Sequence, residues 1–300
     1  MRKTVVLIAV VAAASLAAGA YGSSLGHAGR DASATRAAHT QRPSAAFLAQ
    51  ARTALIAYLR HTGTAMVPHT AVAAANGTSL VSYNWAGYAD DGASGTFTHA
   101  AGGWTVPQVQ CGAEDQIMAS WVGLDGFTRS SNTVEQAGTT GWCYKGVATY
   151  YTWYEMYPSR EYAVGKSVQP GDVIRTSVAR SGANFTIVVT DSTRPSQGFT
   201  HKATCPTTKC LGSSAEWIIE RPAFGIGVAP QANYGTWTMT GGVQTAHGKV
   251  ETIAGYTGSN SPHKLTMYDA TYPAPGAYPL TTVTSLTGGN TFTTTWHNSY

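Results

Sequence analysis

Three glutamates stand in stretches where a carboxyl group is out of place unless it has work to do. Glu216 and Glu220 belong to Ala215-Glu216-Trp217-Ile218-Ile219-Glu220, and Glu155 lies inside Tyr151-Thr152-Trp153-Tyr154-Glu155-Met156-Tyr157-Pro158. Both segments have the aromatic and β-branched content of strands. Successive side chains of a strand point to opposite faces, so Glu216, Ile218 and Glu220 share one face, and Ala215, Trp217 and Ile219 the other. The same rule groups Trp153, Glu155 and Tyr157, and it groups Trp121, Gly123 and Asp125 within Trp121-Val122-Gly123-Leu124-Asp125-Gly126. A sheet face that met only water would carry small polar residues. One that mixes carboxylates with large aromatics suggests a surface for holding a ligand, with Trp and Tyr lining a groove that grips an extended polymer.

A carboxyl group in such a groove can transfer protons during hydrolysis. Glycoside hydrolysis uses two, roughly 5–9.5 Å apart. Glu216 and Glu220 are four residues apart in one strand, about 13 Å at ~3.3 Å per residue, which is too far; Glu155 with Glu220 stays open as a pair. A lectin that binds without cleaving is a third class of reading. Competing nucleophile motifs are weak. Gly22-Ser23-Ser24-Leu25-Gly26 has the Gly-x-Ser-x-Gly pattern, but no strand precedes it and no helix follows, so the serine would lack its elbow. The sequence has no HExxH motif, no histidine sits in a recognisable triad context, and no metal or other cofactor is expected.

The elements that must position these residues are strands. Segments such as Thr96 to His99, Trp104 to Val106, Asp172 to Val178, Phe185 to Val189, Leu265 to Tyr268 and Thr291 to Trp296 alternate in polarity, with turn residues such as Asp125-Gly126, Ser181-Gly182 and Gly288-Gly289-Asn290 between strands. Many short strands at this spacing predict an all-β sandwich over residues 76–300. Only 11% of residues are charged, well under the ~25% of an average globular protein, which fits short strands and turns rather than Glu- and Lys-rich helices.

The N-terminus reads differently. Arg2 and Lys3 precede an apolar run from Val5 to Leu16, and Ala18-Gly19-Ala20 supplies small residues at a cleavage position. This is a signal peptide over residues 1–20, shorter than a membrane span, so the mature protein is expected to be secreted and extracellular, with no membrane partner. Residues 21–75 are rich in Ala, Arg and His with helix-compatible stretches, and read as a partly helical propeptide. Up to residue 75 there are seven basic residues and one acid, 7 − 1 = +6; the remainder carries 12 basic and 14 acidic residues, a net −2. The overall positive charge therefore does not point to a nucleic-acid partner. It points to a basic prosegment that covers an acidic cleft by charge complementarity. Export permits disulfides. Cys205 and Cys210 bracket a small loop, which would leave Cys111 for Cys143, although four cysteines allow three pairings. A monomer is the default expectation.

The ordered set Asn84-Trp85-Ala86-Gly87-Tyr88, Trp121-Val122-Gly123-Leu124-Asp125-Gly126, Gln136-Ala137-Gly138, Trp153-Tyr154-Glu155-Met156-Tyr157-Pro158 and Ala215 to Glu220 resembles the glutamic peptidases, also called eqolisins, over roughly residues 80–300. The resemblance implies a concanavalin A-like β-sandwich of two antiparallel sheets and an acid endopeptidase acting on proteins or peptides. It also implies a catalytic pair, Gln136 and Glu220, in which Glu220 moves protons to and from water and the leaving amine while Gln136 stabilises the oxyanion. Trp85, Trp121, Asp125, Trp153, Tyr154, Glu155 and Glu216 match further motif positions and are expected to line or support the cleft. One departure is Glu135, where the family usually has an aliphatic residue; alternation turns its side chain away from Gln136.

Overall fold

The computed structural model describes residues 71–73, 79–128, 131–224, 227–258, 261–269 and 275–300. Residues 1–70, which include the expected signal peptide and most of the expected propeptide, lie outside them. The alternating segments form strands throughout. In chain order they are β1 (Ala71–Ala73), β2 (Ser79–Ser82), β3 (Trp85–Asp91), β4 (Phe97–Thr105), β5 (Gln116–Leu124), β6 (Val134–Tyr144), β7 (Val147–Tyr157), β8 (Tyr162–Ala163), β9 (Val173–Ser181) and β10 (Asn184–Asp191). Then follow β11 (Phe199–Thr204), β12 (Ser214–Glu220), β13 (Ala223–Phe224), β14 (Gly227–Val228), β15 (Thr236–Ala246), β16 (Lys249–Thr252), β17 (His263–Tyr268), β18 (Pro279–Val283) and β19 (Phe292–Trp296). Two short 3-10 turns, Pro195–Gln197 and Ile253–Gly255, are the helical elements among the described residues.

Pairing divides the strands into two layers. The front sheet runs β8-β7-β6-β5-β12-β3-β17, antiparallel throughout that run. The back sheet runs β11-β10-β9-β4-β15-β16, also antiparallel. Strand β15 serves both layers: Thr236 to Met239 pairs with β19 beside the front sheet, and Val243 to Ala246 pairs with β4 in the back sheet. The changeover falls in the register irregularity between Thr240 and Val243, where Gly241 has φ +60. A bulge with a left-handed glycine lets one strand turn a corner between sheets.

Alternation sorts the front sheet as the sequence predicts. Ala215, Trp217 and Ile219 of β12 pack inward with Ile174, Val178, Phe185, Ile187 and Val189 of the back sheet. The Trp217 indole N–H donates to the carbonyl of Ala101 at 2.9 Å, tying β12 to β4. The opposite face of the front sheet carries a second cluster that includes Trp85, Trp121, Trp142, Tyr151, Trp153 and Ile218. Trp121 and Trp153 are fully buried there, so this sheet is apolar on both sides, which explains the near-continuous buried pattern of β5, β6 and β12. The disulfides Cys111–Cys143 and Cys205–Cys210 are both formed, the pairing expected from loop size. The first ties the start of β5 to the end of β6; the second closes the loop before β12.

Carboxyl groups are buried within this framework. Asp90 faces the inter-sheet side; burial pushes it up to about 8, although Gln244 Nε2 donates to its Oδ2. Glu135, fully buried, is held well above the usual carboxylate range by burial and then by the charge of Asp125. Its side chain does point away from Gln136, into the inter-sheet side. A buried acid that stays protonated in the fold but ionises near pH 4 in the unfolded chain binds more protons folded than unfolded, so stability falls as pH rises between those values. Urea denaturation should therefore show a midpoint that declines from pH 4 to pH 8, and Asp90→Asn should remove about one proton from that dependence.

Candidate active site

The front sheet's outer face presents its functional side chains in two level rows. Cross-strand register places Glu155, Gln136, Gly123 and Glu216 opposite one another across β7, β6, β5 and β12. A second row, four residues further along, holds Tyr151, Thr140, Ala119 and Glu220. Between them runs Trp153, Gly138, Trp121 and Ile218, so an indole-rich band separates the two polar rows.

Glu220 closes β12 and is only 1% exposed. Its carboxyl is surrounded by N–H donors. Trp121 Nε1 donates to Oε2 at 2.7 Å and Asn84 Nδ2 donates to Oε1 at 3.2 Å, with the Trp85 indole giving further support. Asn84 is itself oriented. Ser82 Oγ donates to its Oδ1 at 3.3 Å and accepts from the backbone N–H groups of Asn84 and Trp85 at 3.3 and 3.1 Å. The amide end of Asn84 is thereby turned towards Glu220. Burial pushes the Glu220 carboxyl up to about 7, and the three N–H donors pull in the opposite direction.

Gln136, 2% exposed, donates from Nε2 to Glu155 Oε2 at 2.7 Å. Glu155 thus sets which end of the carboxamide faces β7. Gln136 Oε1 is buried without a hydrogen-bond partner. Gly123 stands beside it because a Cβ there would lie 3.1 Å from Gln136 Cβ and 3.0 Å from the Trp121 ring; a larger residue would displace both. Glu216, on the other side of Gly123, is fully buried, and that burial holds its carboxyl well above the usual range.

Of the residues singled out in the sequence, Trp85, Trp121, Trp153, Gln136, Glu155, Glu216 and Glu220 all lie on this face. Gln136 and Glu220 are two strands and four residues apart, about 16 Å between Cα atoms in a flat sheet. They share a face and are not in hydrogen-bond contact: Gln136 bonds to Glu155, and Glu220 to Trp121 and Asn84. Tyr154 and Asp125 are placed elsewhere. Tyr154 points to the opposite side of β7, where its ring stacks on His201 at 4.0 Å between centroids. Asp125, at φ +67, accepts from Gly212 N, Ser213 N and Ser213 Oγ at 2.8 to 2.9 Å. It therefore anchors the chain entering β12. The sequence reading did not single out Asn84 as a site residue. Its signal was its place immediately before Trp85, at the strand edge where alternation gives no direction.

Removing the shortest donor should expose how the carboxyl is held. Trp121→Phe keeps most of the ring but deletes its N–H, so the Glu220 carboxyl should titrate one to two pH units above its wild-type value, the equivalent of about 1.5–3 kcal/mol for a bond to a charged group. Carboxyl-carbon NMR titration of the two proteins reads this directly; an unchanged titration would mean that the indole does not support the carboxylate.

Comparison with known proteins bears on this arrangement. The model of the peptidase A4 family matches residues 83–296, which include both polar rows. Among solved structures, scytalido-glutamic peptidase with a transition state analog inhibitor superposes with a TM-score of 0.59 at 21% identity, covering 72% of this chain and 98% of that one. SCP-B, described as a member of the eqolisin family in complex with the tripeptide Ala-Ile-His, gives a TM-score of 0.55 at 20% identity with the same coverages. At these identities the two structures establish the shared β-sandwich. No curated protein matches the chain. The match over residues 83–296 shows that the chain belongs to the peptidase A4 family, the glutamic endopeptidases.

Proposed function

We propose that this protein is a secreted endopeptidase that hydrolyses peptide bonds on the acid side of neutrality, with Glu220 moving the protons and Gln136 stabilising the oxyanion. The observation that carries the reading is the buried Glu220 carboxyl with N–H donors on both oxygens, on one face with a carboxamide whose orientation is set by Glu155. The known structures of similar fold contain peptide-based and tripeptide ligands, which supports an extended peptide lying across the indole band between the two rows.

Burial fixes the order of Glu220's two tasks. A carboxyl raised to about 7 enters the cycle protonated at acid pH. The longer 3.2 Å contact from Asn84 leaves Oε1 the better site for that proton. Glu220 gives its proton to the scissile carbonyl oxygen as water adds to the carbon, and takes one back from the added water, leaving a tetrahedral diol. It then protonates the amide nitrogen, the C–N bond breaks, and a diol hydroxyl returns the proton. Gln136 has a second N–H besides the one given to Glu155; it donates to the carbonyl oxygen as negative charge develops there. The basic segment 21–75 acts as a propeptide that screens the face until it is removed, a role supported by its charge of 5 − 1 = +4 against −2 for residues 76–300.

Acid incubation of the purified chain, N-terminal sequencing of the product and a casein digestion assay over pH test this reading. Activity should decline as pH rises through about 7, because the acid form of Glu220 is lost. Glu220→Gln and Gln136→Ala should each lower kcat by at least 100-fold with little change in melting temperature. Full activity in either variant, or activity that climbs through pH 7, would remove the assignment.

A further inference from the structure

Strand β15 leaves an opening in the back sheet where it departs for the front. It pairs with β4 at Thr240, opposite Gly103, but its earlier residues, Thr236 to Met239, pair with β19 instead. Strand β4 continues past Gly103 beside β9, with Trp104 opposite Ile174 and Thr105 opposite Val173. Unbroken antiparallel pairing would have set Thr105 against Thr238. The two strands splay apart at that point, and a cavity of about 320 Å³ occupies the split. Thr105 and Pro107 line it on one side and Thr236 and Thr238 on the other, with Val173 and Arg175 also in its wall. The volume is that of a small ligand site. It belongs to the back sheet, whereas Gln136 and Glu220 stand on the outer face of the front sheet.

Both walls are strand edges with unused backbone groups. Successive residues of an antiparallel strand direct their N–H and C=O groups to opposite edges. Gly235 O accepts from Trp296 N at 2.9 Å, so Gly235, Trp237 and Met239 bond towards β19, and Thr236 and Thr238 present their backbone groups to the split. Val106 N donates to Asp172 O at 2.9 Å, and Val106 O accepts from Gly171 N at 2.9 Å. Val106 therefore bonds towards β9 and Thr105 faces the split. Among the described residues, no strand pairs with Thr105, Thr236 or Thr238 on that side.

The narrow end of the split carries a charge. Arg175 is level with Gly103. A Cβ on Gly103 would lie 3.1 Å from Arg175 Cγ, and one on Gly241 would lie 3.7 Å from its Nη1. The side chain thus crosses β4 over the glycine and sets its guanidinium beside the Thr240–Gly103 pair that closes the split. That guanidinium has no ion pair or hydrogen bond among the described residues.

We propose that this split binds the C-terminal end of an extended peptide. The peptide adds as a short strand, antiparallel to β4 and parallel to β15, and exchanges backbone hydrogen bonds with Thr105, Thr236 and Thr238. Its terminal carboxylate pairs with Arg175. The Thr240–Gly103 pair stops a chain from running on in the plane of the sheet, so a chain end fits where a continuous strand does not. An α-carboxyl titrates near ~3.5 and keeps its charge in a mildly acid medium. Val173, 42% exposed, gives an apolar contact to a side chain of the bound strand. The site does not depend on the hydrolytic reading.

The test titrates acetyl-Ala-Val-Val, as the free acid and as the C-terminal amide, into the full chain at pH 5.5, followed by calorimetry and amide NMR. The free acid should bind with a Kd at least about tenfold below that of the amide, the effect of one charge-assisted pair. The amide signals of Thr105, Thr236 and Thr238 should move most. Methylating both valine nitrogens of the free acid removes its strand N–H groups and should raise Kd at least about fivefold. Arg175→Gln should bring the acid-to-amide ratio to within about twofold of one. Arg175 is exposed, and a melting curve checks that the variant is folded; should it not fold, the peptide comparisons and the NMR shifts decide. Equal binding of acid and amide, a ratio unmoved by Arg175→Gln, or a methylated peptide that binds as well overturns the site. So does a lack of binding at about 10 mM peptide, or a set of shifts confined to the face of Gln136 and Glu220. Because the readout is binding, the result stands whether or not the chain digests casein.

Discussion

A carboxyl group withdrawn from water needs donors in place of the water it has lost, or it gives up its charge. Glu220 is where this fold meets that demand. Trp121 Nε1 and Asn84 Nδ2 reach its two oxygens, and each donor depends on a different strand. Trp121 comes from β5 and Asn84 from the residue before β3, the two strands that flank β12. The carboxyl is therefore solvated by its own sheet neighbours. Any slip in register by one residue would turn Trp121 to the other face and leave Glu220 without its shortest hydrogen bond.

That dependence accounts for features that otherwise look unrelated. Asp125 takes a left-handed backbone conformation to hold Gly212 and Ser213, which fixes where β12 begins and so which of its residues face the indoles. Gly138 lies between Trp121 and Trp153 in the central band, and a Cβ there would come within 1.9 Å of the Ser120 carbonyl oxygen. The glycine lets β5 and β6 approach closely beneath two large rings. Trp217, on the reverse side, donates to β4 and pins β12 to the back sheet. One strand is thus held on both edges, on its inner face and at its start, and its last residue carries the acid.

Much of this was legible in the sequence because period-two alternation is a strict rule once a strand is recognised. It separated Trp217 from Glu216 and Glu220, turned Glu135 away from Gln136, and grouped Trp153 with Glu155; the structure has each of these arrangements. It was less informative where the chain leaves regular pairing. Asn84 precedes β3, so alternation assigned it no face, and it proves to donate to Glu220. Tyr154 shows the opposite case. Its place in a motif suggested the cleft, while its odd-even position relative to Trp153 already directed it to the other side, where His201 receives it. The cross-strand register that sets Gln136 level with Glu216 and Glu220 level with Tyr151 depends on loop lengths and bulges, which a linear pattern does not encode.

The buried acids also make sense as a set. In a chain that works near neutrality, Asp90, Glu135 and Glu216 would each demand a cation or incur a large desolvation cost. Below their raised titration points they are neutral carboxylic acids, no more costly to bury than an amide that has found a partner. Acid conditions therefore remove the penalty from the interior and, at the same time, keep on Glu220 the proton with which the proposed scheme begins hydrolysis. Fold stability and catalysis are then set by the same variable with the same sign. A rise in pH then weakens the fold and, in the proposed scheme, hydrolysis as well, through carboxyls that sit in one sheet.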